Sequence, residues 1–449
     1  MKPPTTNDII PQGYKMTELG VLPEDWEVIN LDKIIDLKRG ISWRKDEANK
    51  EGIGIPVIGI PNIKENGNID FTDTYFLTKN IPNDKMVRIN DILFVGSSGS
   101  IKNIGRNVLI KEIQQNKFTY ASFTFLGRVN SLNANTVYIF YLLNSSFVDY
   151  GRYTRRASDG KYNFQLTQFK NEQKIPLPPL PEQQKIAAVL SAVQEAKEKT
   201  EAVIAATKAL KKSMMKHIFT YGPVSPQEAE NVPLKETEIG PVPEDWEVVR
   251  LGDTFEFSKK PRNLKIKNDD FVPFIPMEMI SETNKSIKSW EEKRYSEISS
   301  GSFVFRKDII IAKITPSFEN GKQAILDNLP TDFGYATTEI WALHPAKNKK
   351  SITYYLHYYL KISSIRKMLA GKMEGSTGRQ RLPKHVLENL PIPLPPLPTQ
   401  QKIASILSAI DAKIEAEENK KKALEELFKS LLHNLMTAKI RVNQLEVTS

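Results

Sequence analysis

The feature that most constrains this chain of 449 residues is that it says nearly everything twice. The stretch TELGVLPEDWEVINL at 17–31 returns as TEIGPVPEDWEVVRL at 237–251, with 10 of 15 positions identical at an offset of 220. The stretch IPLPPLPEQQKIAAVLSAV at 175–193 returns as IPLPPLPTQQKIASILSAI at 392–410, with 15 of 19 identical at an offset of 217. A period this long marks a duplicated domain, since solenoid repeats run to only about 20–45 residues. The copies diverge between these matched ends but stay in register. Asp91-Ile-Leu-Phe94 answers Asp308-Ile-Ile-Ile311, and Ser158-Asp-Gly-Lys161 answers Ser376-Thr-Gly-Arg379. Two halves with one fold and different surfaces are expected.

The variable parts, 32–174 and 252–391, mix short β-branched runs at 53–60, 91–95, 108–110 and 123–129 with Gly, Asn, Asp and Pro turns. Helical spacing of Val137, Phe140, Tyr141 and Asn144 predicts a helix over 136–150, with a counterpart over 352–369. Each half is therefore read as an α/β (α+β) unit. Past each proline run the character changes. From Pro181 and from Pro398 the chain continues for about 39 residues without Gly or Pro, rich in Ala, Lys and Glu, and prolines suit only the first turn of the helices that follow. At about 1.5 Å per residue each helix is roughly 58 Å long.

An apolar stripe at 3,4 spacing runs down both helices: Ile186, Leu190, Val193, Ile204, Met214 and Ile218 in the first, Ile403, Leu407, Ile410, Ile414, Leu424, Phe428, Leu431 and Leu435 in the second. To bury its stripe on the first helix, the second must run back antiparallel, which predicts a pseudo-twofold dumbbell with globular domains separated by two long antiparallel coiled-coil helices. The order is then a leading segment 1–31, a first domain 32–174, a lead-in and helix 175–222, a linker and second leading segment 223–251, a second domain 252–391, a lead-in and helix 392–437, and a tail 438–449. Trp26 and Trp246 fall in the repeated segments and are read as buried anchors rather than stacking platforms.

The duplicated L-P-x-D-W-E-x-x-x-L leading segments, the duplicated I-P-L-P-P-L-P-x-Q-Q-K-I-A exits and the long helices resemble the specificity (S) subunit of type I restriction-modification enzymes, over nearly the whole chain. The resemblance implies two target-recognition domains, each reading half of a bipartite sequence in double-stranded DNA. It also implies helices that set the spacer and dock two methylation subunits and, through them, restriction subunits. S-adenosylmethionine and adenine N6 methylation would belong to the partner, with no cofactor bound by this chain.

Charge and motifs are compatible with that reading. Sixty-three basic against 53 acidic residues give +10, which suits a polyanion. The absence of cysteine removes disulfides, thiolate nucleophiles and thiolate zinc sites and fits a reducing cytoplasm. No run of 18 apolar residues is present. The three Pro-Pro pairs precede no aromatic residue, so the tetrapeptide by which amino-methyltransferases resemble one another is missing, and no P-loop, G-x-G-x-x-G or H-E-x-x-H spacing occurs. The chain is expected to bind without catalysing, with no metal site; a non-catalytic coiled-coil scaffold is the alternative.

DNA contact needs Arg or Lys for guanine, Asn or Gln for adenine, and basic or hydroxyl groups for phosphate. In the first domain the candidates are Lys38, Arg39, Trp43, Arg44, Lys45, Ser98, Lys102, Arg106, Asn107, Arg152, Arg155, Arg156, Lys161 and Tyr162. In the second they are Lys259, Lys260, Arg262, Asn263, Lys313, Thr315, Asn320, Lys322, Gln323, Lys372, Ser376, Thr377, Arg379, Gln380 and Arg381.

Overall fold

The computed structural model describes residues 10–64, 67–113, 117–347, 351–376 and 378–442. The chain divides into two compact units, one of residues up to 199 together with those from 421 onward, the other of residues 200–420. The division falls inside the two long helices, Leu180–Tyr221 and Leu397–Met436, so each unit contains half of each.

Both units are built on one plan. In the first, an antiparallel sheet runs in the order Asn107–Leu109, Ile92–Val95, Thr124–Val129, Ile35–Arg39. In the second, Gln323–Ile325, Ile309–Ala312, Ile340–Pro345 and Phe255–Phe257 repeat that order. The central strands Ile92–Val95 and Ile309–Ala312 are buried along their whole length, which explains why they read as unbroken apolar runs instead of alternating ones. A second sheet in each unit carries one parallel pair, Ile55–Ile58 with Thr119–Tyr120 and Phe271–Ile275 with Phe333–Ala336. The expected helix over 136–150 stops at Leu143, and its counterpart breaks into Thr353–Leu360 and Ser363–Ala370. The helical spacing was real, but Asn144 caps the first helix with its own amide, donating to the Phe140 carbonyl at 2.8 Å.

The repeated motifs close each unit. The leading strand Glu27–Asn30 pairs antiparallel with the proline-bearing exit Lys174–Leu177, and Glu247–Arg250 pairs with Pro391–Leu394. Proline cannot donate to a ladder, so these two-stranded edges are where it can sit. Tyr138 donates its hydroxyl to the Pro176 carbonyl at 3.1 Å, and Tyr355 does the same to Pro393 at 2.7 Å. The first glutamine of each P-x-Q-Q motif is fully buried. Gln183 donates to the Pro178 carbonyl at 2.7 Å and accepts from the Asn135 backbone N–H at 2.8 Å. Gln400 donates to Pro395 at 2.8 Å and accepts from the Ile352 N–H at 3.2 Å. One amide therefore ties the start of the long helix to the start of the shorter one, and its burial costs little because both its ends are paired.

In the first unit Ile186 and Leu190 share a core with Phe428, Leu431 and Leu435. In the second, Met214 and Ile218 share one with Ile403, Leu407 and Ile410. The expected antiparallel helix pairing thus holds inside each unit, start of one helix against end of the other. Ile204 is buried, while Val193, Ile414 and Leu424 are half-buried. Lys208 with Glu418 at 2.6 Å and Lys211 with Asp411 at 2.5 Å flank the pairing in the second unit. Trp26 and Trp246 are buried as expected, and the Trp26 indole N–H donates to Glu182 at 3.0 Å.

Glu182 is almost wholly buried, and Arg441 neutralises it from the far end of the chain, with Nε 2.7 Å from its carboxylate, while also reaching Asp25 at 2.8 Å. Arg441 holds the Asp25 carboxyl below its ordinary range. Removing one partner of such a pair strands a buried charge. Arg441→Ala should therefore lower the stability of the first unit by about 3 kcal/mol, and Arg441→Ala combined with Glu182→Gln should recover part of that loss. Urea unfolding followed by Trp26 fluorescence checks both, and equal loss in the single and double variants would contradict the assignment.

Candidate nucleic-acid interface

Four candidate residues of the first unit, Ser98, Arg155, Arg156 and Tyr162, lie on one small ladder. Thr154–Arg156, Tyr162–Phe164 and Ser97–Ser98 form a three-stranded antiparallel sheet in which Arg156 faces Tyr162 and Tyr162 faces Ser98. Arg156, Tyr162 and Ser98 thus stand in one row, with the Arg156 guanidinium 6.0 Å from the Tyr162 ring. Gly160 takes φ 82° in the hairpin tip beside exposed Lys161, a left-handed conformation glycine adopts without strain. Gly96, at the root of the row, has no space for a Cβ because the Phe125 ring fills it. Packing accounts for Gly96, whereas Gly99 stands in open space.

Arg39 lies 5.2 Å over the same Phe125 ring, joining the row from the neighbouring sheet. Lys38 pairs with Asp84 at 3.4 Å. Arg152 and Lys102 are exposed, and Arg155 is exposed but spends Nη1 on the carbonyls of Arg152 and Thr154. Arg106 is half-buried. Trp43 packs with Tyr75 at 6.4 Å in the cluster around Val57 and Leu77, on the second sheet, with Arg44 and Lys45 exposed beside it.

In the second unit the corresponding ladder is reduced to single bridges, Ile314 with Arg381 and Glu374 with Arg381. Arg381 makes a two-pronged pair with Glu339, Nε at 3.0 Å and Nη2 at 2.7 Å, which holds the Glu339 carboxyl below its ordinary range. Lys313 lies 4.2 Å from the Trp341 ring, and burial lowers its pKa. Thr315 bonds Glu319, and Gln380 accepts the Thr315 N–H at 3.0 Å through its carbonyl. Asn320, Lys372, Ser376 and Arg379 are exposed, and Thr377 lies outside the described residues. Lys322 is half-buried and gives its ammonium to the Met277 carbonyl at 3.0 Å. Lys259, Arg262 and Asn263 are exposed, and Lys260 donates to the Tyr295 hydroxyl at 2.9 Å, which lowers that tyrosine's pKa.

Two expectations are corrected. Asn107 and Gln323, which occupy equivalent strand positions, are buried amides rather than DNA contacts. Asn107 bonds the Gly105 carbonyl at 2.9 Å and exchanges bonds with Asn144. Gln323 is satisfied by His357 and Arg366. A sequence pattern cannot separate a base-reading amide from one that fills a polar gap under a helix.

Sequence reasoning also passed over Glu339 and over a buried polar cluster just before Lys259. Asp308 is buried, accepts from Ser258 Oγ at 2.5 Å and from the Phe305 N–H at 2.8 Å, and has His344 Nδ1 3.8 Å away. Its counterpart Asp91 is met instead by Arg128, at 2.7 and 2.6 Å. Arg128 and His344 hold the same strand position, each facing an acid one strand over, Asp36 or Glu256. Without the arginine, burial pushes the Asp308 carboxyl up to about 7, and burial lowers His344.

The model of the type I restriction modification DNA specificity domain matches twice, at 23–206 and 243–426. A protein of Methanocaldococcus jannaschii assigned to the MjaX type I restriction enzyme as its specificity subunit is 30% identical, over 96% of this chain and 97% of its own. The MjaVIII specificity subunit of that organism is 28% identical, over 94% and 95%. Among solved structures, the S subunit of a type I restriction-modification system from M. genitalium superposes with a TM-score of 0.57 at 16% identity, over 92% of this chain and 96% of that one.

An acid whose folded pKa is raised stabilises fully below its unfolded value and less as pH rises through the folded one. Asp308 therefore costs the second unit stability progressively between about pH 4 and 7. Asp308→Asn should gain on the wild type across that window, by roughly 2–4 kcal/mol at pH 8, with little difference near pH 4. Urea unfolding at both pH values checks the sign.

Proposed function

Because the chain belongs to the type I restriction-modification DNA specificity family, matched over both of its halves, we propose that each unit reads one half of an interrupted, asymmetric DNA target while partner subunits on the long helices carry the bond chemistry. The chain is a DNA sequence-specificity subunit. The observation that carries the finer reading is a pair of units with identical closures and unlike ladders. The ladders present Arg156, Tyr162 and Ser98 in one unit and Arg381 in the other, where exposed Arg379 lies two residues before it. Equal frames with unequal cationic faces suit two unlike half-sites, because phosphate contacts position a reader and base-edge contacts specify it.

On this reading two methylation subunits dock on the helices, hold S-adenosylmethionine and methylate adenine at N6, and restriction subunits join through them. The helices' polar sides offer many charges for docking, and among the described residues no helix is long and apolar enough to cross a membrane. The isolated chain transfers no methyl group. The reach of the long helices sets the interruption between half-sites, since each added residue lengthens a helix by about 1.5 Å.

The test is to map methylated adenines in cells carrying the chain with its partners, then to exchange residues 32–174 for those of another such subunit. Exactly half of the target should change. A change in both halves, or methyl transfer by the purified chain alone, would count against the division of labour. Binding of the assembled complex to its target should weaken steeply between 50 and 200 mM salt, by about 10³-fold for six or so phosphate contacts; a flat response would favour a scaffold role.

A further inference from the structure

The two units can be aligned through their backbone hydrogen bonds around the ladder root. The Gly96 N–H to Phe123 carbonyl bond, 2.9 Å, matches Lys313 to Glu339 at 3.0 Å. The Phe164 N–H to Gly96 carbonyl bond, 2.9 Å, matches Leu382 to Lys313 at 2.7 Å. Phe123 is therefore the counterpart of Glu339, and Asn163 of Arg381. The frame is one; the chemistry placed on it differs completely.

Resting on the DNA-reading role proposed for these ladders, we propose that Arg381 reads a guanine in the half-site of the second unit, with Glu339 as its positioning residue. The backbone of Arg381 is pinned on both sides: its N–H donates to the Glu374 carbonyl at 2.8 Å, its carbonyl accepts from Glu374 at 2.9 Å, and Leu382 is tied to Lys313. The side chain leaves this fixed point more than half exposed. Of the five guanidinium N–H groups, the Glu339 carboxylate takes one on Nε and one on Nη2. The end carrying Nη1 and the remaining Nη2 hydrogen stays open, and that is the edge whose two parallel donors fit guanine O6 and N7.

The carboxylate also selects the ligand. A phosphate drawn to Arg381 would approach a second anion, whereas a guanine edge brings acceptors without net charge, so Glu339 favours base over backbone. Holding the fork in one plane lowers the side-chain entropy lost on binding. At the equivalent places the first unit presents Asn163 and an exposed Phe123 ring, so this guanine contact is particular to the second unit.

The experiment uses the complete complex and duplexes bearing its mapped target. Each guanine in the half-site assigned to the second unit is replaced in turn by 7-deazaguanine, which pairs normally but lacks the N7 acceptor. With the wild type, methylation should fall about 10-fold or more at one position. Arg381→Met, which keeps a long side chain but has no donor for N7, should methylate the parent target more slowly and show no further loss with the analogue there. Glu339→Gln should show a smaller analogue effect together with tighter binding to non-specific DNA at low salt, since the anion that disfavours phosphate is gone. Arg381 is exposed, so its variant should melt with the wild type, and the melting of Glu339→Gln, whose side chain is half-buried, is measured beside it. The proposal is overturned if no analogue effect depends on residue 381, or if Arg381→Met, which removes the charge, weakens all sequences equally and flattens the salt dependence, the signature of a phosphate contact. A complex that methylates without any bipartite preference would bring down the interface reading itself, and the guanine contact with it.

Discussion

Everything the two units display depends on a buried amide. Gln183 and Gln400 each bind a proline-run carbonyl with one end and the first backbone N–H of a short helix with the other. Buried away from water, an unpaired end would be costly, so the glutamine favours one arrangement of three segments: extended exit, short helix and long helix. The leading strand then has a fixed edge to pair with, and the sheet that carries the ladder has a fixed floor. The near-identity of the repeated motifs is explained by this closure, since they hold the frame, while the ladders they support are free to vary.

The frame was legible because its residues act locally. Prolines mark helix starts, a 3,4 stripe marks a buried helix face, and unbroken apolar runs mark central strands. Repetition doubled each of these signals. The trimmed helix at Leu143 was not legible, since a cap made by Asn144 on the Phe140 carbonyl depends on backbone placement and not on spacing. The candidate interface is legible in the sequence only as a crowd of cations, without their internal arrangement. Asn107 and Gln323 read as base contacts because type is visible in a sequence and burial is not. Glu339 went unnoticed because a lone acid carries no signal until the strand opposite shows what it grips.

The contrast between Asp91 and Asp308 shows how a duplicated fold diverges. Both carboxylates sit in the same place under the same sheet, yet one is met by a guanidinium and the other by a hydroxyl and an imidazole. In the first, a fixed cation compensates the charge of the carboxylate. In the second, the partner can itself gain or lose a proton, so burial decides the ionisation state. A single substitution at one strand position separates the two behaviours without disturbing the fold.

The composition of the units also bears on how the protein is made. The second is a continuous stretch, 200–420, whereas the first needs residues from 421 onward to cover Leu190 and to neutralise Glu182. On a ribosome adding about 5–20 residues per second, domains ordinarily mature in the order in which they emerge. Here that order is reversed: the amino-terminal half must wait, its core open on one side, until the last turns of the final helix arrive. Translation that halts early would release a finished second half joined to a first half with part of its apolar core bare to water, a form exposed to aggregation and to quality-control proteases.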